Sequence, residues 1–191
     1  MFRVPERVDL GSCAALHHPG DLDRCAVLLP GQFYPTRAPV LWFAREAITA
    51  QGWSALEVLG EPGEHPDPLA WERECAERAL AQAGDARKLV IGKSLASLLA
   101  GEIGDLEAVW LTPLLTEIAV TDALAGTDQP TLLVGGTADP LWRRNAIPDN
   151  PALRILELPG LDHALQRPGD PRASLDALRQ LADAVARLAS E

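Results

Sequence analysis

Residues 88–100 read Lys-Leu-Val-Ile-Gly-Lys-Ser-Leu-Ala-Ser-Leu-Leu-Ala. The apolar run at 88–91 predicts a short buried strand. Gly92 and Ala96, on either side of the serine, predict a tight turn, because larger side chains would collide with neighbouring backbone there. We therefore predict a buried strand that ends at Ser94 and passes at once into a helix.

This arrangement is typical of a nucleophile elbow, in which a sharp strand-to-helix turn lifts a serine hydroxyl clear of the sheet. The usual pattern has glycine on both sides of the serine, and here the second is Ala96. Gly92-Lys93-Ser94 also resembles the end of a phosphate-binding loop. Such a loop requires a further glycine where this chain has Arg87, so we reject nucleotide binding.

The composition limits both the size of the protein and its partners. With 191 residues, 47% of them hydrophobic, the chain is sufficient for one sizeable core, and we predict a single domain at 1–191. A formal net charge of −10 opposes binding to nucleic acid or anionic membranes and leaves a small-molecule substrate open. The three cysteines are too few and too scattered for a disulfide framework or a zinc site, and we expect no metal.

The chain contains neither an apolar run of membrane-spanning length nor a signal-peptide pattern at residues 1–10. We therefore expect a cytoplasmic protein with no membrane partner. The sequence leaves its oligomeric state open.

Predicted strands and helices alternate along the chain. Short apolar runs predict strands at 25–29, 53–59, 88–91, 106–111, 131–134 and 153–158, with one or two short edge strands within 4–16. Apolar residues at helical spacing predict helices at 39–51, 67–83, 94–100, 113–124 and 171–190. The predicted fold class is α/β: a three-layer sandwich with a mostly parallel sheet of about six to eight strands and helices on both faces.

Three residues with catalytic chemistry each follow a different predicted strand. Ser94 follows the strand at 88–91, Asp139 the strand at 131–134, and His163 the strand at 153–158. Ligands bind to open parallel sheets at the carboxyl ends of the strands. We therefore expect the fold to bring these three side chains together.

The order serine, acid, histidine resembles that of the α/β-hydrolase family over roughly residues 26–190. Residues 136–139 (Gly-Thr-Ala-Asp) are similar to the family's acid loop, and residues 160–163 (Gly-Leu-Asp-His) to its histidine loop. Residues 30–32 (Pro-Gly-Gln) stand where members carry His-Gly-x. The likeness is to small members of the dienelactone-hydrolase type, which have no lid domain.

The resemblance implies a serine hydrolase that cleaves ester or thioester bonds of a small molecule through an acyl-enzyme, with no cofactor. His163 would accept the proton of Ser94 and later pass it to the leaving group, and Asp139 would orient the imidazole. The backbone N–H groups of Gln32 and Leu95 are expected to form the oxyanion hole.

Residues at the predicted strand ends are expected to line an apolar substrate pocket. They are Phe33, Tyr34, Thr112, Leu114, Trp142 and Leu165.

Other interpretations stay open at this point. Ser94 fits a tight turn by its small size, Asp139 could cap a helix that begins at Pro140, and Asp162 is a rival acid beside His163. The proline at position 30 and the alanine at position 96 depart from the family pattern. They keep open a protein of the same fold that binds a small molecule without hydrolysing it.

Overall fold

The computed structural model describes residues 4–191 and contains one sheet of eight strands. The strands are β1 (Glu6–Asp9), β2 (Ala14–His18), β3 (Asp21–Leu29), β4 (Trp53–Leu59), β5 (Arg87–Lys93), β6 (Glu107–Leu111), β7 (Thr131–Gly136) and β8 (Leu153–Leu158). Their order across the sheet is β1-β2-β4-β3-β5-β6-β7-β8. All neighbouring pairs from β4 to β8 are parallel, and β1 and β2 form an antiparallel edge. The predicted mostly parallel α/β sheet is therefore confirmed.

Helices cover both faces of the sheet. The helices are α1 (Pro39–Ala50), α2 (Pro68–Gln82), α3 (Ile118–Gly126) and α4 (Pro171–Ala189), with short 3-10 helices at Pro62–Glu64, Ser94–Leu99 and Arg144–Ala146. On one face α1 and α4 pack against the sheet, and on the other face α2 and α3 do so. The two faces enclose two separate cores, as a three-layer sandwich requires.

The central strand β3 shows why its sequence is a continuous apolar run. Ala26 and Leu28 point into the core beneath α1 and α4, whereas Val27 and Leu29 point into the core beneath α2 and α3. Successive side chains of a strand face opposite sides of the sheet, so a strand covered on both sides needs apolar residues at every position.

The helix predicted at 94–100 is a six-residue 3-10 helix, and the helix predicted at 113–124 begins only at Ile118. One hydrogen-bonded serine connects the two segments. The Ser97 hydroxyl donates to the Ser94 carbonyl oxygen (2.7 Å) and accepts from the Leu114 N–H (3.0 Å). Residues 113–117 therefore form a loop that packs on the Ser94 turn.

The connection between β6 and β7 spans residues 112–130 and contains one helix, α3. This short connection agrees with the expectation that the fold has no lid domain between these strands. No helix within residues 4–191 is both long enough and apolar enough to cross a membrane.

A buried carboxyl group on α2 is isolated from other polar groups. Glu72 is fully buried, and neither of its carboxylate oxygens has a hydrogen-bond partner within the described residues. Burial raises the pKa of Glu72 from 4.5 to about 9, because the charged form loses its hydration. The side chain therefore carries a proton at neutral pH in the folded protein.

Replacing Glu72 by leucine is expected to stabilise the protein increasingly as the pH rises. The unfolded chain releases this proton near pH 4.5 and the folded protein only near pH 9, so ionisation favours the unfolded state between these values. The difference in unfolding free energy between Glu72→Leu and wild type should grow by about 3 kcal/mol from pH 5.5 to pH 8, measured by urea denaturation. Glu77→Leu, at an exposed position of the same helix, is the control, and a difference that does not change with pH would contradict the expectation.

Candidate active site

Ser94 directly follows β5, with its backbone in the left-handed region at φ 53°. A Cβ atom at Gly92 would lie 2.6 Å from the Trp110 ring and 2.8 Å from the Ala96 Cβ. Glycine at position 92 therefore allows strand and helix to approach closely enough for the turn. It also explains why alanine is tolerated at position 96, since the methyl group occupies the space that a side chain at 92 would need.

The Ser94 hydroxyl, the His163 ring and the Asp139 carboxylate form a continuous chain of hydrogen bonds. His163 Nε2 lies 2.8 Å from Ser94 Oγ, and His163 Nδ1 lies 2.7 Å from Asp139 Oδ2. A carboxylate only accepts hydrogen bonds, so Nδ1 carries the proton and Nε2 is free to accept from the serine hydroxyl. The fold thus joins three side chains that are distant in sequence.

Asp139 and His163 differ in their exposure to water. The Asp139 side chain is fully buried, and its Oδ1 accepts a hydrogen bond from the Leu141 N–H at 2.9 Å. The His163 side chain is about one third exposed. The structure has no helix beginning at Pro140, so Asp139 does not act as a helix cap. One of its oxygens stabilises a local turn while the other binds the imidazole.

Asp162, the alternative candidate for the acid that binds His163, bonds to backbone N–H groups and not to the imidazole. Its Oδ1 accepts from the N–H groups of Ala164 and Gln166, both at 2.9 Å. These bonds shape the loop that carries His163, so Asp162 holds the backbone of that loop while Asp139 binds the imidazole.

The acid loop and the histidine loop are in direct backbone contact. The Ala138 N–H donates to the Leu161 carbonyl oxygen at 3.0 Å. A Cβ atom at Gly136 would lie 2.0 Å from that same oxygen, and one at Gly135 would lie 1.9 Å from the Trp142 ring. Gly136 therefore permits the approach of the two loops that brings Asp139 to the His163 ring, and Gly135 leaves space for the Trp142 ring.

The predicted oxyanion donors lie at two backbone turns near Ser94. Gly31 and Tyr34 form a two-way backbone bridge (2.9 and 3.1 Å), and the Gln32 carbonyl accepts from the Gly63 N–H at 2.7 Å. A Cβ atom at Gly31 would lie 3.6 Å from the Ser94 Cβ, so this turn stands beside the serine. Within the described residues the Gln32 N–H donates no backbone hydrogen bond.

Leu95 is the second residue of the 3-10 helix Ser94–Leu99. The first N–H groups of a helix have no acceptor within the helix itself. The Leu95 N–H is therefore one of the open donors at this helix end, immediately after Ser94.

A cleft of about 560 Å³ opens beside Ser94 and His163, and we call it the Ser94 cleft. Three predicted pocket residues, Phe33, Tyr34 and Leu114, line it. Five further lining residues were not among the predicted pocket residues. Lys93 ends β5, and the other four lie in loops whose course the sequence does not specify: Pro140, Leu141, Asp162 and Ala164.

The other three predicted pocket residues do not line the Ser94 cleft, which corrects the sequence expectation for them. Thr112 is fully buried, and its hydroxyl oxygen accepts a hydrogen bond from Lys93. The Trp142 ring packs on Gly135, and its Nε1 donates to Glu157 at 2.7 Å. Leu165 is buried in the core beneath α1 and α4.

Lys93, the last residue of β5, is only 1% exposed. Its Nζ donates to Thr112 Oγ1 and to the His163 carbonyl oxygen, both at 2.8 Å. Burial lowers the pKa of Lys93 from 10.5 to about 8, while the carboxylates of Asp139 and Asp162 act in the opposite direction. A charged lysine here therefore costs the folded protein stability at neutral pH.

Replacing Lys93 by methionine is expected to remove this pH-dependent cost. The unfolded chain binds more protons than the folded protein between pH 8 and pH 10.5, so wild-type stability rises with pH in this range. The unfolding free energy of wild type relative to Lys93→Met should rise by about 2 kcal/mol from pH 7 to pH 10, measured by urea denaturation. Lys88→Met is the matched control, and a constant difference between wild type and Lys93→Met would contradict this account.

Replacing Gly136 by alanine is expected to destabilise the protein by about 2 kcal/mol, because the new methyl group would collide with the Leu161 carbonyl and force backbone to move. Thermal and urea denaturation measure the change. Gly126→Ala, within α3 and with no atom within 4 Å of the new Cβ, is the control and should be neutral or slightly stabilising. Equal stability of Gly136→Ala and wild type would show that the two loops do not approach as described.

No family model and no curated protein matches the sequence of this chain. Solved structures do match its fold. An α/β serine hydrolase homologue from Coxiella burnetii has a TM-score of 0.71 at 12% identity, with 98% of this chain and 97% of that chain covered. A dienelactone hydrolase from Anabaena variabilis has a TM-score of 0.71 at 16% identity, with 96% of each chain covered.

A third match is carboxyl esterase 2 from the fungus Tuber melanosporum, with a TM-score of 0.68 at 14% identity. The matched region covers 100% of this chain and 88% of the esterase. All three matches cover nearly the whole of this chain. The chain therefore has the α/β-hydrolase fold, as the resemblance in its sequence predicts.

Proposed function

We propose that this chain, acting as a single domain, is a serine hydrolase that cleaves ester or thioester bonds of a small molecule. The observation that carries the proposal is the hydrogen bond of 2.8 Å between His163 Nε2 and Ser94 Oγ, supported on the other side by the buried Asp139. A serine hydroxyl is a weak nucleophile at neutral pH and needs a base in hydrogen-bonding contact.

In the proposed reaction, His163 Nε2 takes the Ser94 proton as Oγ attacks the carbonyl carbon of the substrate. Asp139 holds the Nδ1–H tautomer and stabilises the imidazolium that forms. The imidazolium then gives its proton to the departing alcohol or thiol, which leaves an acyl group on Ser94. A water molecule then gives a proton to His163 as its oxygen bonds to the acyl carbon. The imidazolium returns this proton to Ser94 Oγ as the bond between Oγ and the acyl carbon breaks, which releases the acid and restores the serine.

The tetrahedral intermediate carries a negatively charged oxygen that needs fixed donors. We assign this role to the N–H groups of Gln32 and Leu95, because both lie at backbone turns next to Ser94. Removing one such donor from a hydrolase typically raises the barrier by about 3 kcal/mol. These donors belong to the main chain, so the reaction needs no cofactor for this step.

The lining of the Ser94 cleft favours an uncharged, apolar acyl or alcohol group. Phe33, Leu95, Leu114 and Leu141 contribute apolar surface, and Phe33 is 72% exposed. Among the described lining residues the one cation is Lys93, whose ammonium group is bonded within the protein. The solved structures of similar fold that are named as esterases support the same class of substrate.

Turnover of p-nitrophenyl butyrate tests the proposal. Wild type should release p-nitrophenol, and Ser94→Ala or His163→Ala should lower kcat by about 10³-fold or more, because the nucleophile or its base is lost. A fluorophosphonate probe should add to Ser94, as located by peptide mass spectrometry. Ser190→Ala, at an exposed position after α4, is the control and should match wild type.

The proposal fails if wild type and Ser94→Ala are equally slow and the probe leaves Ser94 unlabelled. In that case, a ligand that raises the melting temperature without being converted to product would favour the alternative, a non-hydrolytic protein of the same fold.

A further inference from the structure

Lys93 takes no part in the proton transfers proposed above, yet it is one of the residues that line the Ser94 cleft. It lies between Gly92 and Ser94 and is only 1% exposed. Lysine side chains are almost never fully buried unless they are paired. The contacts of the Lys93 ammonium group should therefore explain its presence.

These contacts reach three segments that follow three other strands. Nζ donates to Thr112 Oγ1 after β6 and to the His163 carbonyl after β8, both at 2.8 Å. It also lies 4.6 Å from the centre of the Tyr34 ring, after β3, within the range of a cation–π interaction. Because Lys93 itself ends β5, one ammonium group connects four strand ends around the cleft.

Stability does not account for a lysine at this place. The lowered pKa of Lys93 indicates that burial of the ammonium group outweighs the favourable charges of Asp139 and Asp162. Replacing a buried charge by an apolar side chain of similar volume is often neutral or stabilising. A buried charge kept despite this cost, in a cleft, points to a role in function.

The geometry also separates Lys93 from the reacting atoms. Its Nζ hydrogen bonds go to Thr112 and to the His163 main chain, whereas Ser94 Oγ bonds to the His163 ring. A role as general base or nucleophile would require contact with Ser94 or with substrate. The contacts of Lys93 instead suit a role in holding the Thr112 side chain, the His163 main chain and the Tyr34 ring in place.

We propose that Lys93 is a positioning residue whose ammonium group fixes the His163 main chain and the Tyr34 ring, so that the His163 imidazole faces Ser94. The consequence for catalysis rests on the function proposed above, whereas the positioning itself does not. His163 then has two anchors, since Asp139 holds its ring and Lys93 holds its carbonyl group. Misplacement of a catalytic group by about 1 Å can cost about 10²-fold in rate.

The test compares Lys93→Met with Lys88→Met. These are the only two lysines of the sequence, and both lie on β5, Lys88 near its start and Lys93 at its end. Lys88 is half-buried and its Nζ contacts the Gly84 carbonyl, far along the strand from Ser94. The pair therefore separates the loss of any lysine from the loss of this contact network.

Three quantities are measured on each variant. The first is the downfield proton NMR resonance of the His163 Nδ1 proton in its bond to Asp139, which needs no substrate. The second is the rate at which a fluorophosphonate probe labels Ser94. The third is kcat and KM with p-nitrophenyl butyrate.

In Lys93→Met the resonance should shift or broaden, and labelling and kcat should fall at least about tenfold while KM changes by less than about twofold. Lys88→Met should match wild type in all three. Lys93→Gln retains an N–H donor for the His163 carbonyl and should therefore recover part of the lost labelling rate and kcat. This variant is used in place of Lys93→Met if the methionine variant does not fold.

Wild-type labelling rate and an unchanged resonance in the Lys93 variants would overturn the inference and leave the hydrolase proposal intact. Conversely, a wild-type protein that neither reacts with the probe nor turns over ester would contradict the hydrolase proposal. A resonance that still depended on Lys93 would then support the positioning role by itself.

Discussion

The left-handed backbone of Ser94, at φ 53°, is the constraint on which the site depends. A residue other than glycine in this region costs about 1 kcal/mol, so surrounding structure must hold it there. Gly92 provides the space for the turn, and the Ser97 hydroxyl bonds to the Ser94 carbonyl from within the 3-10 helix. The result is a serine whose hydroxyl meets the His163 ring, with open N–H donors directly after it.

The parallel sheet brings the partners of this serine to the same edge, and polar contacts hold them there. The acid loop bonds to the histidine loop through Ala138 and Leu161, and Lys93 bonds to the His163 carbonyl oxygen. A fully buried carboxylate and a nearly fully buried ammonium group thus lie in one small region, both at a cost in hydration free energy. Such an arrangement gives up stability for fixed geometry, which is typical of functional sites.

The sequence pattern predicted the alternation of strands and helices, because a strand that is buried on both faces of a sheet is a continuous apolar run. It also placed Ser94, Asp139 and His163 at strand ends, where the structure joins them by hydrogen bonds, and their catalytic role stays a prediction. The sequence pattern wrongly predicted that Trp142 lines the substrate pocket, because a position after a strand does not determine where the side chain points. It overlooked Lys93, since all of its partners are distant in sequence, although a lysine at the end of an apolar strand was a signal in itself.

A crystal structure of the protein after reaction with an alkyl fluorophosphonate tests the central claim most directly. The account predicts phosphorus bonded to Ser94 Oγ, with the phosphonyl oxygen within hydrogen-bonding distance of the N–H groups of Gln32 and Leu95. It also predicts that His163 Nε2 stays beside the modified oxygen while Asp139 keeps its bond to Nδ1. An unmodified Ser94, or an adduct whose oxygen points away from both N–H groups, would contradict it.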